Sequence, residues 1–277
     1  MDMEAPMTSI LLHIHDDRGA ESRLQVACDI ARGADAHLHC VQVTSVPGLI
    51  ASDLYGGASM APAMMAELHD IDARLRTRME ERLRREGVSW DWRQVDGDLV
   101  NGLLSASTLV DFLIVTLPEG PRAEMSDPPH IVADLAMGSR APVLAVPQAA
   151  RGLTVAGRTL VAWDGSQEAS AALRLSLPLL RLAEEVHVVT VEEAGRHSFP
   201  STDAPEYLAR HGIKSQLHIW PQDGRSIETT LQAAIGVLRP DWIAMGAYGH
   251  SRLRELVFGG VTRSMLRQAR VPLLLAH

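Results

Sequence analysis

With 277 residues, 46% of them hydrophobic, the chain is long enough for one large domain or two of ordinary size around a substantial core. Its 34 acidic residues against 26 Lys and Arg, a formal net charge of −8, argue against nucleic-acid or anionic-membrane partners, which reward a basic surface. Two cysteines make no disulfide framework, and Lys214, the only lysine, stands in no Gly-Lys-Ser/Thr phosphate loop.

The opening MDMEAPM carries acids where a secretory leader carries positive charge, and no apolar run approaches the roughly 20 residues of a membrane span, so a cytoplasmic protein is expected. Short runs rich in Val, Ile and Leu then recur. The first half offers Ser9–His15, Ala36–Val43, Val88–Val95, Asp111–Thr116 and Pro142–Val146 as strands. The second offers Arg158–Trp163, Val186–Val191, Lys214–Trp220, Asp241–Gly246 and Pro272–Ala276. Apolar strands alternating with helices predict a parallel sheet covered on both faces. Ala61–Glu86 reads as a long helix whose RLRTRMEERLRRE run is a solvated face. Gln167–Glu184 places Ala171, Leu175, Leu179 and Leu182 at helical spacing, and Pro178 inside it predicts a kink or a shifted start.

The halves match each other. FLIVTLPEG (112–120) lies against WIAMGAYGH (242–250), and MGSRAPVLAVP (137–147) against RQARVPLLLAH (267–277), both 130 residues apart. Near the first strands, LLHIHDD (11–17) lies against LVAWDGS (160–166), with Asp16–Asp17 facing Asp164–Gly165. This is an internal duplication, with domains at 1–150 and 151–277. The boundary is expected in Gln148–Gly157, whose small and polar residues carry no core pattern.

Chemistry concentrates in residues 245–277. A strand ends at Met245 and Gly246, a loop passes Gly249, and Gly259, Gly260, Val261 and Thr262 open a helix that returns to the last strand. Ligands of open α/β sheets bind beyond the carboxyl ends of strands. A helix amino terminus offers unpaired N–H groups and a partial positive charge, which suit phosphate. Glycines allow close backbone approach, and Thr262 adds a hydroxyl donor.

Here the sequence resembles the universal stress protein family, whose ATP-binding members carry G-x2-G-x9-G followed by a small hydroxylated residue. That pattern stands here as Gly246, Gly249 and Gly259, then Gly260, Val261 and Thr262. LVAWDGSQEAS resembles the family's opening strand and Asp-Gly-Ser. The resemblance spans essentially the whole chain as two copies. It implies ATP, alone or with Mg2+. Asp164 would contact the adenosine end, Ala162, Val191 and Met245 would line the base, and Gly246, Gly249, Gly259, Gly260, Val261 and Thr262 would hold ribose and phosphates. Arg252, Arg254 and Arg263 would either offset phosphate charge or lie on a solvated face. The family's usual Ser after the third glycine is Gly260 here, and losing that hydroxyl would weaken binding by about 10- to 150-fold.

The first half does not keep the motif. Thr116, Glu119, Pro129, His130 and Val132 stand where the second half has Gly246, Gly249, Gly259, Gly260 and Thr262, so one nucleotide site per chain is expected. His13 and His15 share one strand face, as do His37 and His39. Separate packing histidines are the expectation there, and no metal site is assigned. Ser166 is expected as a helix cap rather than a nucleophile.

The fold these readings predict is two flavodoxin-like (adenine nucleotide alpha hydrolase-like) domains, each an open five-stranded parallel sheet. Pairing through Val143–Val146 and Leu273–Ala276 would make an intramolecular pseudo-dimer, alone or as a homodimer. The function implied is an ATP-binding stress-response regulator or sensor acting through an unknown protein partner, with adenine nucleotide as its ligand. The alternatives are a slow ATPase or adenylate-kinase-like enzyme, for which no catalytic residue is found, and a scaffold that has lost nucleotide binding.

Overall fold

The structure, a computed structural model, describes residues 9–45, 61–119, 130–192, 201–247, 249 and 260–277. The first half runs β1 (Ser9–Ile14), α1 (Ala20–Ala34), β2 (His37–Ser45), α2 (Ala61–Glu86), β3 (Ser89–Gly97), α3 (Leu99–Ala106), β4 (Phe112–Leu117), α4 (Val132–Gly138) and β5 (Val143–Pro147). The second runs β6 (Arg158–Ala162), α5 (Gln167–Leu175), α6 (Leu177–Leu180), β7 (Glu185–Glu192), α7 (Asp203–Arg210), β8 (Gln216–Pro221), α8 (Ile227–Leu238), β9 (Trp242–Gly246), α9 (Gly260–Gln268) and β10 (Leu273–Ala276).

Ten strands form one sheet in the order β3-β2-β1-β4-β5-β10-β9-β6-β7-β8. Every pair is parallel except β5 with β10, where Leu273, Leu274 and Leu275 face Ala145, Leu144 and Val143. That single antiparallel seam joins the two halves. The strands flanking it are buried along their length, as apolar runs covered on both faces should be. The outermost strands, β3 and β8, alternate between half-buried and exposed positions. Both layers of the core run through both halves. Ile10, Leu24, Leu144, Val161 and Leu274 pack on one face, and Leu11, Val41, Val143, Leu160 and Leu275 on the other.

Two local expectations gain detail. Pro178 falls at the start of α6, so the apolar stretch divides at Ser176 into two helices. On α2, Leu75, Met79 and Leu83 form a buried stripe at four-residue spacing, and the remaining face is laced by Arg76–Glu80, Arg84–Glu80 and Arg85–Glu81 pairs.

The connection between the halves differs from expectation. Leu153 and Val155 are buried in the core beside α1, Leu153 N donates to Asp29 Oδ2 at 2.8 Å, and Ser22 Oγ donates to the Gln148 carbonyl at 2.6 Å. The segment is a clasp over α1 rather than a loose tether. Two apolar residues spaced by one polar residue are too short a pattern to stand out in sequence.

Candidate functional site

In the second half, β6 is followed in the chain by β7 and β8 on one side, and the chain then crosses to β9 and β10 on the other. The crevice between β6 and β9, at their carboxyl ends, is therefore the topological switch point, where ligands of open α/β sheets bind. Asp164 lies two residues past β6, and Gly246 ends β9.

The structure brings several motif residues together there. Ala162 and Met245 are direct neighbours in the register, and Val191 is two residues along β7, on the same face, from Val189, the other neighbour of Ala162. All three pack on the same apolar layer, with Met245 buried and Ala162 and Val191 partly so. Asp164 is exposed, and its Oδ1 accepts from the Ser166 N–H at 3.0 Å and the Ser166 hydroxyl at 2.6 Å. Ser166 caps α5 by accepting from Ala169 N at 3.1 Å, as expected of it. Gly165, at φ +73, makes the turn between them.

Gly246 is required by packing. A Cβ there would stand 2.5 Å from Ala169 N and 2.6 Å from the Glu168 carbonyl carbon, so the end of β9 touches the backbone of α5 directly. Gly260 is the first residue of α9 and is exposed, Val261 is half-buried, and Thr262 is buried on the face that also carries Met265. Gly259, Arg252 and Arg254 lie outside the described residues.

Two acidic residues border the glycines and were not singled out in the sequence. Glu168 is 6% exposed, and its Oε2 lies 3.3 Å from where a Cβ on Gly249 would stand. A Cβ on Gly260 would meet Glu228 Oε1, the tip of a half-buried side chain that would have to swing aside for any larger residue here. Each occupies the first turn of a helix, where the dipole favours an acid, and that placement is the signal that made them look ordinary. A cavity of about 420 Å³ opens on the opposite face of the sheet, between α5 and α7, lined by Trp163, Arg174, Tyr207 and Arg210. It does not include the glycines.

The first half's switch point lies between β1 and β4 and is filled. Arg23 reaches into it from α1 and is 2% exposed. Its Nη1 binds Asp17 Oδ2 at 2.8 Å and also Thr116 Oγ1, and its Nη2 donates to the His15 carbonyl at 2.9 Å. Burial pulls the Arg23 pKa down, and Asp17 opposes the shift. His13 is fully buried beneath and stacks on His15 at 5.6 Å. Burial, then the charge of Arg23, then His15 hold its pKa well below the ordinary value, so it is neutral. Of the residues that marked this half in sequence, Glu119 is exposed and Pro129 lies outside the described residues.

The strand registers agree with the ranges 11–17 and 160–166 and correct by one residue the pairing of Asp16–Asp17 with Asp164–Gly165. Ile10 pairs with Phe112 as Thr159 pairs with Trp242, which sets His15, Asp16 and Asp17 opposite Asp164, Gly165 and Ser166. Gly19 then stands opposite Glu168, and Thr116 opposite Gly246. A Cβ on Gly19 would collide with Thr116, the mirror image of the Gly246–Glu168 approach. At this crossing one partner must be glycine, and the halves have chosen opposite partners.

The fold and its switch points define a class: an open, doubly wound α/β protein, duplicated within one chain. No protein-family model matches it. It is similar to universal stress protein Slr1230 of Synechocystis sp., 28% identical over 137 residues, which are 48% of this chain and 46% of that protein, so the match spans under half of the curated relative. Among solved structures it is similar to a universal stress protein from Archaeoglobus fulgidus, with a TM-score of 0.76 at 18% identity over 97% of each chain. It is also similar to a functionally unknown protein, PA1789, from Pseudomonas aeruginosa, with a TM-score of 0.62 at 17% identity over 100% of this chain and 94% of that one. The structural likenesses establish the fold. Curated and structural neighbours together point to the universal stress protein family, and the tandem architecture fits the 277 residues and the ten-stranded sheet. Among the described residues, no helix is long and apolar enough to cross a membrane.

Proposed function

We propose that the second half binds one ATP at the crevice between β6 and β9 and that nucleotide occupancy tunes the chain's contact with a protein partner. The observation that carries this reading is the contrast between the switch points: Arg23 plugs the first, whereas Ala162, Gly246 and the turn at Asp164 leave small residues at the second. Asp164 would accept from ribose hydroxyls or the adenine amine, because a carboxylate set against triphosphate repels it. Ala162, Val191 and Met245 would line the base. Gly246, Gly249, Gly259, Gly260, Val261 and Thr262 would form the ribose and phosphate segment, with the amino terminus of α9 contributing N–H donors.

Glu168 and Glu228 favour a second reading, a scaffold that has given up the nucleotide, since both set negative charge beside the phosphate segment. If ATP binds, those two carboxylates suit a hard divalent cation such as Mg2+ at the phosphates. Calorimetry with ATP, with and without Mg2+, separates the readings. The proposal expects one ATP per chain and tighter binding in Glu168→Gln without Mg2+. Two ATP per chain, or none to wild type and Glu168→Gln alike, sinks it.

A further inference from the structure

On the face of the sheet away from α2, α3 covers only the carboxyl half of β2, where Gly102 backs onto Val43. The amino half of β2 leaves His37 and His39 half-buried on that face, two residues apart. In the register of the neighbouring strand, Asp91 of β3 sits beside His39. Asp91 Oδ2 lies 2.9 Å from His37 Nε2 and 2.7 Å from His39 Nδ1, and one ligand atom from each of the three residues lies within 4.8 Å of the others. The far ring nitrogens are also held: His37 Nδ1 by Ser89 Oγ at 2.6 Å and His39 Nε2 by Ser9 Oγ at 2.9 Å. Metal-binding imidazoles carry this kind of outer contact, which sets the tautomer and the orientation of the ring.

We propose that His37, His39 and Asp91 form a site for one borderline divalent transition-metal ion of the zinc kind, with water completing its coordination. Two imidazoles and a carboxylate are donors that such ions take readily. Bonds of about 2.1 Å at tetrahedral angles put donors about 3.4 Å apart, so a small opening of the two histidine–Asp91 contacts, within a cluster already inside 4.8 Å, admits the ion. An ion there ties the outermost strand β3 to β2. Its place is the amino ends of the first-half strands, away from that half's plugged crevice.

The second half sharpens the assignment. There the register puts Glu185, His187 and Gln216 at the matching positions, so the carboxylate of Asp91 is replaced by an amide. His187 turns Nδ1 to His218 at 3.1 Å and Nε2 towards Glu185 at 3.4 Å, so its neighbours sit on opposite sides of the ring and do not share one point with it.

The test uses the full-length chain, stripped with chelator and titrated with Zn2+ by calorimetry and with Co2+ by its visible absorption. One ion per chain is expected, with affinity reduced by about 10-fold or more in Asp91→Asn, His39→Asn and Ser89→Ala and unchanged in His218→Asn. X-ray absorption of the zinc-loaded wild type is expected to show two imidazoles with oxygen donors, a readout that stands even where a variant fails to fold. No ion bound by the wild type, a spectrum with fewer than two imidazoles, or affinity untouched by Asp91→Asn overturns the proposal.

Discussion

Where β1 and β4 part, the first half presents His13, Asp17, Arg23 and Thr116; at the matching positions between β6 and β9, the second presents Ala162, Ser166, Ala172 and Gly246. The strand register is the same, so the parallel fold makes the crevice in both copies and the side chains set how it is lined. An empty crevice costs packing, and the first half fills its own with the buried Arg23. Filling it with an arginine demands a buried partner, and Asp17 supplies one.

The comparison can be broken most forcefully at that pair. Arg23→Leu leaves Asp17 buried and unpaired, and urea unfolding should register a loss of about 3–5 kcal/mol, with no matching loss for Ala172→Ser in the second half. Next in size, Asp164→Ala should lower ATP affinity by about 10- to 150-fold, or roughly 1.5–3 kcal/mol, with little change in Tm; calorimetry reads the first and thermal melts the second. The two glycines give a subtler contrast. Gly19→Ala and Gly246→Ala should each cost about 1–3 kcal/mol through overpacking. Thr116→Ser removes the methyl that meets a Cβ on Gly19 and should return part of the first loss. The second is set against backbone, and a change in the Glu168 side chain should return little of it.

The smallest effect is pH-dependent. His13 is neutral in the fold because its pKa is depressed, whereas in the unfolded chain it takes up a proton near pH 6.5. Above that pH it is neutral in both states and contributes no dependence. Below it, the unfolded state binds more protons, so stability should fall with pH at up to about 1.4 kcal/mol per unit until the folded pKa is reached. His13→Leu should flatten that slope in urea titrations between pH 6.5 and 5, and an unchanged slope would assign it to other groups.

The strands were legible because apolar runs in a doubly covered sheet are continuous, and edges moved only by a residue or two, as when Lys214–Trp220 became Gln216–Pro221. The motif glycines were legible through spacing, and the packing of Gly246 on α5 gives one of them a reason independent of any ligand. The plug was not. Arg23 shares the buried face of α1 with Ala27 and Ile30, and an arginine at that period was the available signal. Glu168 and Glu228 escaped because helix first turns favour acids anyway. The histidine pair on β2 was visible by strand alternation, but its carboxylate comes from a strand some fifty residues later, and only the β2–β3 register brings them together.

The lone antiparallel seam has a directional consequence. Because β5 and β10 run opposite ways, the carboxyl ends of one half's strands lie along the same rim as the amino ends of the other's. The crevice at Asp164 and the His37–His39–Asp91 cluster therefore lie on the same rim of the sheet, six strand spacings apart from β6 to β2, or about 29 Å at 4.8 Å per strand. The sealed crevice at Arg23 faces the other way. With both proposed sites filled, the sheet would carry its two ligands on that one rim and none at the sealed crevice.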